Sequence, residues 1–183
     1  FNTKCWTHTD QAPKNKELVC YQGFISLTDN KYNTLQVYEG SHKLHQEYFK
    51  SINRENDSKN WHIIEKTFLD NIKETKKKIN IPKGSLVLWN SKTFHQNLHS
   101  NNEERIVQYI SMLPKRTSKN STSEQKKRRK YFEECRTTSH WAYPIKVNSL
   151  QPHTYGNSNL LIDYTKLIKP NLEIYMKDIN NLI

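Results

Sequence analysis

The strongest constraint on the fold is a succession of short β-branched and aromatic runs separated by turn residues. Residues 18–28, "LVCYQGFISLT", are apolar, aromatic and β-branched, and read as a buried strand. "DNKYN" is a turn, and "TLQVYEG" alternates well enough to form a second strand, paired to the first as a hairpin. "SHKLHQEYFKSI" follows as a short helix or turn, then the polar loop "NRENDSKN". Trp61, Ile64, Phe68 and Ile72 stand at helical spacing, which predicts an amphipathic helix over 61–77. "KINIPKGSLVLWN" reads as a short strand, a Pro-Lys-Gly turn and a strongly apolar strand, and "ERIVQYISMLP" as another strand closed by Pro114. The chain is thus strand-rich from 4 to 113, with one or two helices inserted. A mainly β, antiparallel architecture of barrel or jelly-roll type is expected.

After Pro114 the composition changes. "KRTSKNSTSEQKKRRKYFEECR" is a Ser/Thr-rich linker leading into a basic helix, and the remainder carries scattered aromatics with no clear period. Residues 115–183 are therefore expected to form a basic helix and a C-terminal wrap that ends in a short helix, within the same domain as 1–114. The net charge of +11 invites a nucleic-acid reading, but Lys is spread along the whole chain beside heavy use of Asn and Ile. Four glycines and no Gly-rich phosphate loop argue against nucleotide binding of the P-loop or dinucleotide type. Cys5, Cys20 and Cys135 form no CxxC pair and leave an odd count, which fits a reducing compartment. With no signal peptide and no apolar run of membrane length, an intracellular, cytoplasmic protein is expected.

The chemistry begins at "KCWTHTDQAP". His8 and Asp10, two apart, share one face of a strand and can offer two ligands to one metal ion. His95 follows the apolar strand "SLVLWN", where a strand end delivers a side chain to the mouth of a barrel. Two histidines and one carboxylate form the facial set that leaves three positions open on a non-haem Fe(II). Arg105 comes ten residues later, at the head of "RIVQYI". A strand returning beside that of His95 would aim its fork at a carboxylate in the same cavity. His99 competes as the third ligand, but leaves only six residues for a turn and a return strand before Arg105.

With these residues in order, the chain resembles the phytanoyl-CoA dioxygenase (PhyH-like) family of Fe(II)/2-oxoglutarate oxygenases. The matching stretches are "WTHTDQ", "VCYQGFISL", "VYEGSHKL", "PKGSLVLWNSKTFHQN" and "SNNEERIVQYI". The resemblance implies a double-stranded β-helix (jelly-roll, cupin-like) with inserted and C-terminal helices. Residues 1–114 would be its core, lacking the family's usual N-terminal part. It further implies that His8, Asp10 and His95 hold Fe(II), and that Arg105 binds the distal carboxylate of the cosubstrate 2-oxoglutarate. Gln22 and Asn97 fall where the family has side chains touching that cosubstrate. His42 matches a turn that looks structural. A carboxylate at Asp10 points to hydroxylation rather than halogenation of a small-molecule substrate, with O₂ as oxidant. Two alternatives stand beside this: a non-catalytic jelly-roll binding module, and a nucleic-acid-binding protein that uses the basic run at 126–130.

Overall fold

The computed structural model of the chain describes residues 5–182; Lys4, where the strand-rich run was expected to begin, lies outside them. The chain divides into two compact units, Phe1–Leu113 and Pro114–Ile183. The first holds β1 (His8–Thr9), β2 (Tyr21–Ser26), β3 (Leu35–Tyr38), α1 (Ser41–Ser51), β4 (His62–Ile63), α2 (Lys66–Asn71), β5 (Lys76–Lys78), β6 (Leu86–Asn90), β7 (His95–Asn97) and β8 (Val107–Met112). These strands form two antiparallel sheets, of order β4-β1-β7-β3-β5 and β6-β2-β8. Among the described residues no ladder joins the two sheets, so there is no closed barrel.

Alternation along each strand sorts the side chains into two cores. Leu35 and Val37 from β3, Phe24 from β2, Val87 and Trp89 from β6, and Val107 and Tyr109 from β8 pack together with Ile79 and Ile81 between the sheets. Each fully buried side chain there contributes about 1.5–3 kcal/mol. Tyr38, next in chain to Val37, points the other way and joins Phe94 in a second core. That core takes Tyr48 and Phe49 from α1 and Leu69 from α2. On α1 the buried residues are Ser41, His45, Tyr48 and Phe49, one face of a 3.6-residue repeat. At Gly23 the three-stranded sheet leaves no room for a side chain, since a Cβ would stand 2.2 Å from the Val87 carbonyl oxygen.

Two sequence expectations change here. β3 does not form a hairpin with β2. After β2 the chain crosses to the other sheet, and the crossing turn is held by Glu103, whose carboxylate accepts from the backbone N–H groups of Lys31, Tyr32 and Asn33. The helix expected over 61–77 is instead strand, short helix and strand. Trp61 adopts a positive φ of 66°, Ile64 N–H donates to the Thr7 carbonyl, and β4 pairs with β1. Only Lys66–Asn71 is α-helical, and Lys76–Lys78 pairs with β3. Pairing with neighbours far along the chain overrides the local apolar period.

The second unit carries α3 (Thr122–Glu133), which holds the basic run. Its start is a capping arrangement in which the Ser121 hydroxyl accepts from Glu124 N–H. Glu124 is buried, and its carboxylate accepts from Lys127 and from the backbone of Ile145. A bridge joins Thr138 to Val147, and the unit ends in α4 (Met176–Leu182). No helix among the described residues is long and apolar enough to cross a membrane.

Candidate metal centre

β1 lies beside β7 with His8 directly opposite His95. A two-residue step then puts Asp10 on the face of His8, while Thr7 and Thr9 take the other. Those threonines secure the strand: Thr7 Oγ1 donates to Gln96 Oε1 at 2.7 Å, and Thr9 Oγ1 to the Ser91 carbonyl at 3.2 Å. Gln11 anchors the exit of the HxD segment. Its amide donates to the carbonyls of Asn15 and Glu17, and its oxygen accepts from Val19 N–H and Ser91 Oγ. His95 is placed from the Gly-Ser-His-Lys turn, because Ser41 Oγ accepts from Phe94 N–H at 2.9 Å.

His8, Asp10 and His95 are only 4–6 % exposed, and one ligand atom from each lies within 4.8 Å of the others. His8 Nε2 is 3.8 Å from Asp10 Oδ1, and His95 Nε2 is 3.5 Å from Asp10 Oδ2. The Nδ1 atoms face the carbonyls of Trp6 and Thr93, at 3.2 and 3.0 Å. A carbonyl only accepts, so each Nδ1 carries a proton, and each Nε2 is turned toward Asp10, where a neutral imidazole offers its lone pair. Asp10 Oδ2 is buried with no hydrogen-bond partner among the described residues. Leaving a charged oxygen so is costly unless a cation shares the space. The donor set fits a divalent metal, and this is the one such group of three among the described residues. His99, the competing candidate, is not in it. Trp6 stacks on His8 at 4.9 Å and Trp61 lies 5.7 Å away, so aromatic rings wall one side.

A second polar cluster lies further along the same inward face. Asn97 follows His95 by one two-residue step, about 6.8 Å of strand. Its Oδ1 accepts from Arg105 Nη2 at 3.1 Å, and its Nδ2 donates to Tyr109 Oη at 3.0 Å. Tyr109 Oη also receives Arg105 Nη1 and Nη2, at 3.4 and 3.3 Å. The guanidinium lies 5.0 Å from the centre of the Phe24 ring, and Arg105 Nε is buried without a hydrogen-bond partner among the described residues. The route to this arrangement differs from the expected one. The strand after Arg105 pairs with β2 and not with that of His95, so the arginine reaches Asn97 from the opposite sheet. Gln22 is buried on β2, cross-strand from Trp89 on one side and Ser111 on the other.

Tyr109 and Trp89 are the site residues that the sequence reading passes over. Tyr109 stands four residues after Arg105, so strand alternation alone puts both on one face. Trp89 is hidden inside an apolar run, where an indole reads as core.

No family model matches the chain, and no solved structure matches it. Among curated proteins it is similar to "Ava biosynthesis cluster protein O" of Aspergillus versicolor. The two are 30% identical over 135 residues, which take in 67% of this chain and 44% of that protein. The chain therefore spans less than half the length of that relative.

Proposed function

We propose that the chain is an Fe(II)- and 2-oxoglutarate-dependent dioxygenase of the PhyH-like kind that hydroxylates a small molecule. The observation that carries this reading is the buried Asp10 carboxylate with an imidazole Nε2 facing each oxygen, His8 at Oδ1 and His95 at Oδ2, while Oδ2 has no hydrogen-bond partner among the described residues. Two histidines and a carboxylate are the donors non-haem Fe(II) takes when it must keep open positions. The strand order supports a double-stranded β-helix, since β1, β2, β3, β6, β7 and β8 alternate between the sheets apart from the β4 and β5 edges. The relative's name, a biosynthesis cluster protein, is in keeping with a tailoring oxidation.

His8, Asp10 and His95 would hold the metal. Arg105 would pair its planar fork with the distal carboxylate of 2-oxoglutarate, oriented by Asn97 and Tyr109. The step from His95 to Asn97 suits a five-carbon diacid that reaches from the metal to the arginine. Gln22 would contact the cosubstrate between these ends, and Phe24, Trp6 and Trp61 keep water from the site. Bound iron supplies the O₂ chemistry that couples decarboxylation of 2-oxoglutarate to succinate and CO₂ with insertion of oxygen into a C–H bond. Asp10 occupies the position a halide would need, which favours hydroxylation.

The test is succinate formation from 2-oxoglutarate with Fe(II) and O₂, in the wild type and in Asp10→Ala. The expected result is turnover in the wild type and a loss of a hundredfold or more in the variant. Equal turnover in both removes the assignment, and no turnover in either leaves a non-catalytic metal-binding module as the better reading.

A further inference from the structure

Trp89 is an indole in a place where apolar packing alone would be served by a phenyl ring. It lies on β6, is 8 % exposed, and its Nε1–H has no hydrogen-bond partner among the described residues. Its ring touches Phe24 edge-on, at 5.9 Å between centres, and its centre is 5.1 Å from that of His95. Buried indole N–H groups normally find an acceptor, because leaving one unpaired forfeits its hydration with no return.

Its place in the register indicates which acceptor is missing. The inward face of the three-stranded sheet has two tiers: Trp89, Gln22 and Ser111, then Val87, Phe24 and Tyr109. The second tier carries Arg105, whose guanidinium lies over Phe24 and whose nitrogens bond Tyr109. The first tier faces His95. Trp89 thus stands at the metal end of the inward face, one tier from the cation assigned to the distal carboxylate. We propose that Trp89 Nε1–H is a ligand-binding donor that takes an oxygen of the metal-side carboxylate of a 2-oxo acid. The proposal rests on the cosubstrate reading above and adds to it a residue that holds the end of the ligand remote from Arg105.

The experiment compares wild type, Trp89→Phe and Arg105→Gln, each loaded with Mn(II) in the absence of O₂, by calorimetric titration with two ligands. One is 2-oxoglutarate; the other is 2-oxopentanoate, which has the same 2-oxo acid end and no distal carboxylate. Trp89→Phe is expected to weaken both ligands about tenfold or more, the loss of one charge-assisted hydrogen bond, with Mn(II) affinity unchanged. Arg105→Gln is expected to weaken 2-oxoglutarate and leave 2-oxopentanoate unaffected. Wild-type affinity in Trp89→Phe overturns the proposal while leaving the cosubstrate reading intact. Failure of the wild type to bind 2-oxoglutarate overturns both. Should Trp89→Phe not fold, the indole ¹⁵N–¹H resonances of the wild type serve instead, assigned through Trp6→Phe, Trp61→Phe and Trp141→Phe. The Trp89 signal is expected to move downfield and gain exchange protection on adding 2-oxopentanoate, and an unmoved signal overturns the proposal.

Discussion

Tyr109 shows how one hydroxyl joins the two sheets. It receives Asn97 from β7 and Arg105 from the segment before β8, so the arginine fork is held from both sides. Removing only that oxygen in Tyr109→Phe is expected to raise the KM for 2-oxoglutarate about five- to tenfold, the worth of roughly 1–1.4 kcal/mol, with kcat changed less than twofold. Steady-state titration of the cosubstrate checks this, and a fall in kcat at unchanged KM would contradict a positioning role. His45 makes a separate statement about pH. On the buried face of α1, it has Nε2 at 3.0 Å from the Gln11 carbonyl and accepts at Nδ1 from Gln46. Burial lowers its pKa from 6.5 to about 4, against the opposing effect of the Gln11 hydrogen bond. The unfolded chain protonates this residue near pH 6.5 and the folded chain only near 4. This contribution to stability is therefore complete above pH 6.5 and is lost as pH falls toward 4, by on the order of 3 kcal/mol. Urea unfolding at pH 7.5, 5.5 and 4.5 is expected to show a steeper decline for wild type than for His45→Gln. Parallel declines would remove His45 as the cause.

At the scale of elements, β2 is the strand on which the three-stranded sheet depends, since it pairs with both β6 and β8. Gly23 lets it lie against β6, and Gly23→Ala would force a methyl into backbone, not into a yielding side chain. The expected outcome is a loss of about 3 kcal/mol or more, read as a lower denaturant midpoint or as insoluble protein. A midpoint within experimental error of wild type would show that the strands can part without penalty. On the other sheet, the exposed edge strand β5 is Lys76-Lys77-Lys78, charges that oppose pairing with another chain. Lys76 and Lys77 belong to the segment 61–77 whose apolar spacing predicted a helix. Ile64 and Leu69 are indeed buried and Phe68 and Ile72 partly so, yet Ile64 leaves a strand, Phe68 and Leu69 sit on a short helix, and Ile72 caps its end. Spacing identified which side chains go inward, but not the backbone that carries them inward.

At the scale of the whole N-terminal unit, a bound metal would tie β1 to β7 through His8, Asp10 and His95, and so stabilise the sheet that holds them. With the metal at a hundred times its Kd, linkage adds about 2.7 kcal/mol to the folded state. A thermal scan with and without Fe(II) or Mn(II) is expected to show a clear rise in Tm for wild type and none for Asp10→Ala. The same rise in both would place the metal elsewhere. Strands within 18–28, "KINIPKGSLVLWN" and "ERIVQYISMLP", and the shared face of His8 and Asp10, were legible in the chain because strand alternation is local; His95 was reached through its place after an apolar strand and the chemistry of a third ligand, not through spacing from His8. The tertiary structure alone decided that β3 leaves β2 for the opposite sheet, that Arg105 reaches Asn97 across the space between sheets, and that an indole N–H beside His95 has no acceptor among the described residues. The reason is physical: a two-residue period says which face a side chain takes, whereas the neighbour it meets there depends on hydrogen-bonded pairing between segments tens of residues apart, to which no local spacing responds.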